Sequence, residues 1–268
     1  MISNFAILGL VFTVVVCFVV PLIAMAVLKI RMRAKILLFL AGISMQVLFV
    51  MLLERLFISL TVRAVPAITQ YDSLYPIVMV LVAGIFESLE FALVVRVLRD
   101  HINAGSQAVM FGMGHAGANA VLSMGLTSIA YYSVAVIANA NGADALTEGL
   151  SGEDLFFMQS MLEFMQSDAI LFYISGVQQL MLIMVYCCAA VIMWMAMTER
   201  LSRKWAGVSV LMIAMITFFI QLDTRNYWIM LAFSLIIGIA SVVFTRMLYV
   251  KIEGDHPRQE RMPVRRLR

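Results

Sequence analysis

Three ionisable side chains lie in stretches of this sequence that are otherwise apolar. Glu87 and Glu90 belong to the segment GIFESLEF, and His115 belongs to the segment FGMGHAGANA. An ionisable side chain in the middle of a bilayer costs about 2.5–3.5 kcal/mol even on lenient insertion scales, so such groups face a protein interior or serve a function. Carboxylates and an imidazole together can bind Zn²⁺ and activate its bound water, or they can relay protons.

The composition indicates that these segments belong to a membrane protein. Of the 268 residues, 63% are hydrophobic and 13% are charged, and globular proteins carry about 25% charged residues. The sequence divides into apolar runs of about 20 residues or more, which is the length that crosses a bilayer as a helix. We therefore predict an all-α, polytopic transmembrane helix bundle with about seven spans, near residues 3–28, 36–60, 75–98, 107–136, 170–197, 206–222 and 226–249.

The predicted domain organisation is a single transmembrane helical domain over residues 1–250 and a basic cytoplasmic tail over residues 251–268. One loop of this domain, residues 141–169, is much longer than the others and carries six acidic residues with no Lys or Arg. Apolar residues recur at helical spacing in its segment LFFMQSMLEFM. This pattern predicts an amphipathic helix that lies on the outer surface or caps the bundle.

The basic residues predict the orientation of the bundle. Of the 19 Lys and Arg residues, 16 fall in alternate loops and in the tail, which share one side of the membrane. The positive-inside rule places that side in the cytoplasm, so the N-terminus is outside and the C-terminus is cytoplasmic. The same residues follow one face of the bilayer rather than an aromatic-laced patch, so we expect no nucleic-acid partner.

The polar residues of the third and fourth spans are predicted to lie at one depth. A helix rises about 1.5 Å per residue, which puts Glu87 and Glu90 in the same layer as His115 and Asn119. Each pair is three or four residues apart and projects from a single helix face. A short loop joins the two spans, so we expect antiparallel neighbours. Interhelical packing bonds, a metal site and an ion or proton pathway all remain open.

The segments GIFESLEF and FGMGHAGANAV resemble the YhfC-like family of intramembrane metalloproteases, which is related to the CAAX-prenyl-protease and bacteriocin-processing membrane proteases. Family members carry a pattern like GxFEExxR on one helix and GxGHGxxE on the next. The resemblance extends over most of the chain and includes LLER, with Glu54 and Arg55. It implies a bacterial plasma-membrane protein with Glu87 and His115 as zinc ligands and Glu87 in a catalytic role. Glu90 lies one turn from Glu87 and is a second candidate for a catalytic role.

Several positions depart from the family pattern. Ser88 replaces the second glutamate, Phe91 the arginine, and Ala116 the second glycine. Asn119 replaces the glutamate that closes the second motif. Where the family tends to show a glutamate–arginine pair and then a histidine on a later helix, this chain has other polar residues: Gln178, Gln179 and Tyr186.

These departures leave the activity open. A catalytic zinc uses three protein ligands and an open position, and the other two histidines, His101 and His256, fall in a loop and in the tail. The first hypothesis is a non-catalytic relative without a cofactor that binds a membrane-embedded peptide or protein. The alternative is an active zinc-dependent protease that uses Glu87, Glu90 and His115. A third and weaker hypothesis is a small-solute or ion transporter.

Overall fold

The fold is a helical bundle with seven candidate membrane spans. A computed structural model describes residues 1–70, 74–221 and 226–255 of the chain. Within these residues all regular structure is helical, and seven helical segments are long and apolar enough to cross a membrane. This confirms the predicted all-α polytopic bundle. The side that faces the cytoplasm and the division into a domain and a tail stay predictions, and residues 256–268 of the tail lie outside the described residues.

Twelve α-helices make up the described part of the bundle. The seven spans are Asn4–Met32, Ile36–Ala64, Tyr75–Val97, Gly105–Asn141, Ile170–Met197, Arg203–Ile220 and Tyr227–Ile252. The α-helices are α1 Asn4–Met32, α2 Ile36–Met45, α3 Arg55–Ala64, α4 Ala67–Gln70, α5 Leu74–Val97, α6 Gly105–Ala120, α7 Leu126–Asn141, α8 Asp144–Thr147, α9 Gly152–Ser167, α10 Ile170–Met197, α11 Ala206–Gln221 and α12 Tyr227–Asp255.

Two spans contain a π-helical segment. Gln46–Glu54 joins α2 to α3, and Val121–Gly125 joins α6 to α7. A π-helix has wider turns than an α-helix and often occurs at functional sites. The first segment ends at Glu54, and the second begins two residues after Asn119, so both adjoin the polar residues singled out in the sequence.

Helix α10 forms the centre of the bundle. It packs against α1, α5, α6, α11 and α12, and most of its residues are buried. Its apolar side chains, among them Trp194 and Ile192, belong to the main hydrophobic cluster. A helix that is hydrophobic all round is typically buried on all sides, and α10 is largely of this kind. Because α10 is central, its few polar residues Gln178, Gln179 and Tyr186 lie inside the protein.

Helix α6 is held close to two neighbours by glycine. A Cβ on Gly114 would collide with the backbone carbonyl of Phe39 in α2, and a Cβ on Gly112 would lie 2.9 Å from the Ala190 Cβ in α10. Small residues permit such close helix contacts in membranes. The close backbone contacts of α6 are with α1, α2 and α10, and those of α5 are with α10, α11 and the first π-helical segment. The sequence predicted that α5 and α6 are antiparallel neighbours. In the structure they meet through side chains and not through closely packed backbones.

Helix α9 covers the end of the bundle at which the chain begins. Its residues Leu162 and Met165 are buried in a second hydrophobic cluster formed with α1, α7 and α10. The side-chain amide of Asn139 accepts a bond from the Ile2 backbone N–H at 2.7 Å and donates one to the Ile2 carbonyl at 2.9 Å. The first residues of the chain are thereby tied to α7, and the acidic segment 141–169 closes this end.

Candidate polar site

The site centres on a buried bond between α5 and α6. His115 Nδ1 lies 2.8 Å from Glu90 Oε1, and both side chains are fully inaccessible to solvent. Buried polar groups of this kind are normally paired because an unpaired one pays its full desolvation cost. The bond explains how α5 and α6 are joined although their backbones are not closely packed.

Aromatic rings surround the His115 imidazole on two sides. The ring centroids of Phe91 and Tyr186 each lie 4.8 Å from that of His115, with interplanar angles of 83° and 68°. Both contacts are edge-to-face, which is the favourable arrangement for aromatic rings. Phe91 stands where the family pattern has an arginine, so an apolar ring takes the place of a cation beside this imidazole.

A second set of polar groups is linked through the Tyr186 hydroxyl. This hydroxyl donates to Glu87 Oε1 at 2.9 Å and accepts from Asn119 Nδ2 at 3.4 Å. Ser123 extends the chain, because its hydroxyl donates to the Asn119 carbonyl oxygen at 2.7 Å and lies 3.4 Å from Asn119 Oδ1. Helices α5, α6 and α10 therefore each contribute one member to this hydrogen-bonded group.

The Tyr186 group borders a cavity of about 630 Å³. The cavity runs from the depth of Glu87 toward the end of the bundle at which α3 ends and α5 begins. Helix α3 forms one wall, and none of its ten residues is buried. Eleven of the lining residues carry polar side chains: Glu54, Arg55, Ser59, Arg63, Tyr75, Glu87, Asn119, Ser123, Gln179, Tyr186 and Thr217. Neither Glu90 nor His115 lines it.

The structure divides the residues that the sequence singled out into three places. Glu90 and His115 form the enclosed pair. Gln178 lies apart from both groups, since its side-chain nitrogen is 3.5 Å from the Ser234 hydroxyl of α12. The remaining residues line the cavity: Glu54, Arg55, Glu87, Asn119, Gln179 and Tyr186.

Sequence reasoning missed five polar residues of the cavity, which are Ser59, Arg63, Tyr75, Ser123 and Thr217. Ser59 and Arg63 follow Arg55 at intervals of four, and Ser123 follows Asn119 by four. Residues four apart lie on one helix face. This spacing could have identified Ser59, Arg63 and Ser123 from the sequence. It predicts one polar stripe along α3 and a second one that runs from the end of α6 into the second π-helical segment.

The donor set does not fit a catalytic zinc in the observed arrangement. Each of the three candidate zinc-binding residues has a buried atom without a hydrogen-bond partner: Glu87 Oε2, Glu90 Oε2 and His115 Nε2. Such unpaired atoms are unusual and favour an unseen partner. Among the described residues, however, no group of three His, Cys, Asp or Glu side chains is arranged to hold a metal ion. The Tyr186 phenol lies against both Glu87 and His115.

Fold and site together define a polytopic membrane protein with a polar centre inside its helix bundle. A model of the YhfC intramembrane metalloprotease family matches residues 16–240. The chain belongs to the YhfC intramembrane metalloprotease family, as its motifs predicted. Neither a curated protein nor a solved structure gives a significant match.

Proposed function

We propose that this chain is a non-catalytic member of its family and binds a membrane-embedded peptide segment in the cavity beside Tyr186. The observation that carries the proposal is the enclosure of His115. The one histidine in the described membrane spans is fully buried, bonded to Glu90 and covered by two aromatic rings. The side chain that a metalloprotease of this family would use as a ligand therefore has no contact with the cavity.

The family description implies a metal, and the residues argue against a catalytic one here. Catalytic zinc sites use three protein ligands and leave one position for water or substrate. The sequence offers Tyr186 where a histidine is expected, and neutral phenol is not among the usual zinc ligands. The proposed function therefore includes neither a hydrolytic step nor a cofactor.

The chemistry of the cavity supports a peptide as its occupant. Three of the residues that line it have a buried acceptor oxygen without a hydrogen-bond partner: Glu54, Glu87 and Gln179. Backbone N–H groups inside a bilayer must be satisfied, so an unwound stretch of a transmembrane segment needs such acceptors. The volume of about 630 Å³ falls within the range of about 300–1,000 Å³ that is typical of binding sites.

One observation favours the alternative, an active zinc-dependent protease that uses Glu87, Glu90 and His115. Each of these residues has a buried atom without a partner. A metal ion is one kind of partner that such oxygen and nitrogen atoms accept. Both candidates share the membrane setting, and for both we propose the bacterial plasma membrane, with the N-terminus outside as the basic loops predict.

A photocrosslinking experiment separates the two candidates. The probe is a fluorescent synthetic peptide of 24 Leu and Ala residues with a central Gly-Pro, reconstituted with the full chain in lipid nanodiscs. The photoreactive amino acid p-benzoylphenylalanine replaces Ile58, which lines the cavity, or Leu60, which does not. We expect the peptide to crosslink at position 58 and not at 60, with or without a zinc chelator, and to remain intact. Equal labelling at both positions, or chelator-sensitive cleavage of the peptide, would overturn the proposal.

A further inference from the structure

A second cavity, of about 460 Å³, lies at the opposite end of the bundle from the first. Its walls come from the end of α1, the start of α6, the middle of α10 and the last part of α12. It shares no lining residue with the cavity beside Tyr186. Its deeper wall consists of small apolar side chains and two thiols: Val109, Cys187, Cys188 and Val191.

One basic residue lines the mouth of this cavity, and others lie at the same end of the bundle. Arg246 of α12 lines it with an exposed side chain. The same end of the bundle carries further basic residues in the last turns of α1 and α5 and in the segments that follow α1, α5 and α10: Lys29, Arg31, Arg33, Lys35, Arg96, Arg99, Arg200, Arg203 and Lys204. Basic pockets between membrane helices on the cytoplasmic side are typical binding sites for anionic lipid headgroups.

The first turn of α6 adds backbone donors at the same mouth. Gly105 and Ser106 begin this helix of sixteen residues and both line the cavity. The residue before them, Ala104, provides no side-chain cap. The first N–H groups of a helix have no partners within the helix, and together with the helix dipole they favour an anion.

A buried hydroxyl in the cavity wall also points to a ligand. Thr245 is 6% exposed, and its Oγ1 has no partner within ordinary hydrogen-bond geometry. The thiol of Cys188 lies beside it and is only a weak hydrogen-bonding group. Buried hydroxyls are normally satisfied by a strong partner, so the Thr245 hydroxyl is available to a polar atom that enters from the mouth and competes with the weak contact to the Cys188 thiol.

We propose that this cavity binds one anionic phospholipid. Its phosphate lies at Arg246 and the first turn of α6, an ester oxygen accepts from Thr245, and an acyl chain occupies the apolar part. Charge complementarity at the mouth selects an anion, and the apolar walls select one that carries a hydrocarbon chain. A free phosphate would leave those walls uncovered. This site is independent of the function proposed for the Tyr186 cavity.

Native mass spectrometry of the full chain tests the proposal. The protein is purified from detergent micelles that contain equal amounts of phosphatidylglycerol and phosphatidylcholine with identical acyl chains. We expect the wild-type chain to retain one phosphatidylglycerol in preference to phosphatidylcholine. Arg246→Gln should reduce that preference about fivefold, which corresponds to the attraction of one basic residue to an anionic membrane surface. Arg96→Gln removes a charge at the same end outside the cavity and should leave the preference unchanged.

A second pair of variants tests whether the acyl chain enters the cavity. Val242 lines the cavity and is 39% exposed, whereas its neighbour Val243 is 49% exposed and does not line it. Val242→Trp should abolish lipid retention, and Val243→Trp should preserve it. The proposal is overturned if the two lipids are retained equally, if both members of a pair behave alike, or if millimolar inorganic phosphate displaces the phospholipid.

Discussion

Two groups of polar side chains contact Tyr186 and differ in what they can reach. Glu90 and His115 pair with each other and are inaccessible, with the Tyr186 ring against the imidazole. Glu87 and Asn119 bond to the Tyr186 hydroxyl and border a cavity that holds further polar residues. One aromatic residue therefore separates a closed pair, for which we propose a structural role, from an open group that borders the cavity.

The largest expected effect concerns the closed pair. Glu90→Ala leaves the imidazole of His115 buried without its partner, which should lower the free energy of unfolding by about 3 kcal/mol or more. The double variant Glu90→Leu with His115→Phe replaces both partners by apolar groups and should recover most of that loss. Thermal unfolding in detergent measures both. A double variant no more stable than Glu90→Ala would contradict a purely structural role for the pair.

A smaller loss is expected when the helix that carries His115 is forced away from its neighbour. Gly114→Ala puts a methyl group against the Phe39 backbone and should cost about 1–3 kcal/mol, as overpacking does. Gly207→Ala is the matched control, because nothing lies within 4 Å of its added Cβ. The same unfolding measurement compares the two. Equal stabilities would show that α2 and α6 are not closely packed.

The hydrogen bond between Tyr186 and Glu87, inside the open group, should contribute less again. Tyr186→Phe keeps the ring beside His115 but removes the hydroxyl that donates to Glu87, which should lower the free energy of unfolding by about 1–2 kcal/mol. Peptide crosslinking at position 58 should weaken as well, because Glu87 and Asn119 lose their common partner. Unchanged stability and crosslinking together would remove Tyr186 from the cavity group.

The smallest effect on stability is expected at the cavity wall. Ser59 is exposed on α3 and lines the cavity, so Ser59→Trp should change the free energy of unfolding by no more than about 0.5 kcal/mol. It should nevertheless block peptide crosslinking from position 58, because the indole fills the cavity. Leu60→Trp on the same helix is the control and should leave crosslinking intact. Crosslinking that survives Ser59→Trp would place the peptide elsewhere.

The sequence was sufficient to predict the membrane spans and part of the polar site. Hydropathy predicts seven spans because each crosses the bilayer as one continuous apolar run. Helix rise alone predicts that Glu90 and His115 share a layer, and the structure joins them at 2.8 Å. Both inferences rest on distances along single helices, which a sequence contains.

The arrangement of the helices around the site could not be predicted from the sequence. The contacts of α6 with α2 and α10 depend on where Gly112 and Gly114 meet backbones that are distant in the sequence. A run of small residues predicts a close helix contact but does not indicate which helix is the partner. The π-helical segments have no composition that marks them. The separation of Gln178 from its neighbour Gln179 follows from the rotation of α10, which is set by packing with α12 and the other neighbours.

We propose that this chain does not hold a catalytic zinc, and the zinc content of the purified protein distinguishes such a chain from an active protease. The full chain is purified in detergent with excess zinc, washed without chelator and analysed by inductively coupled plasma mass spectrometry beside the His115→Ala variant. We predict substoichiometric zinc that is the same in both proteins. One zinc ion per wild-type chain, lost in His115→Ala, would overturn the non-catalytic proposal and favour an active metalloprotease.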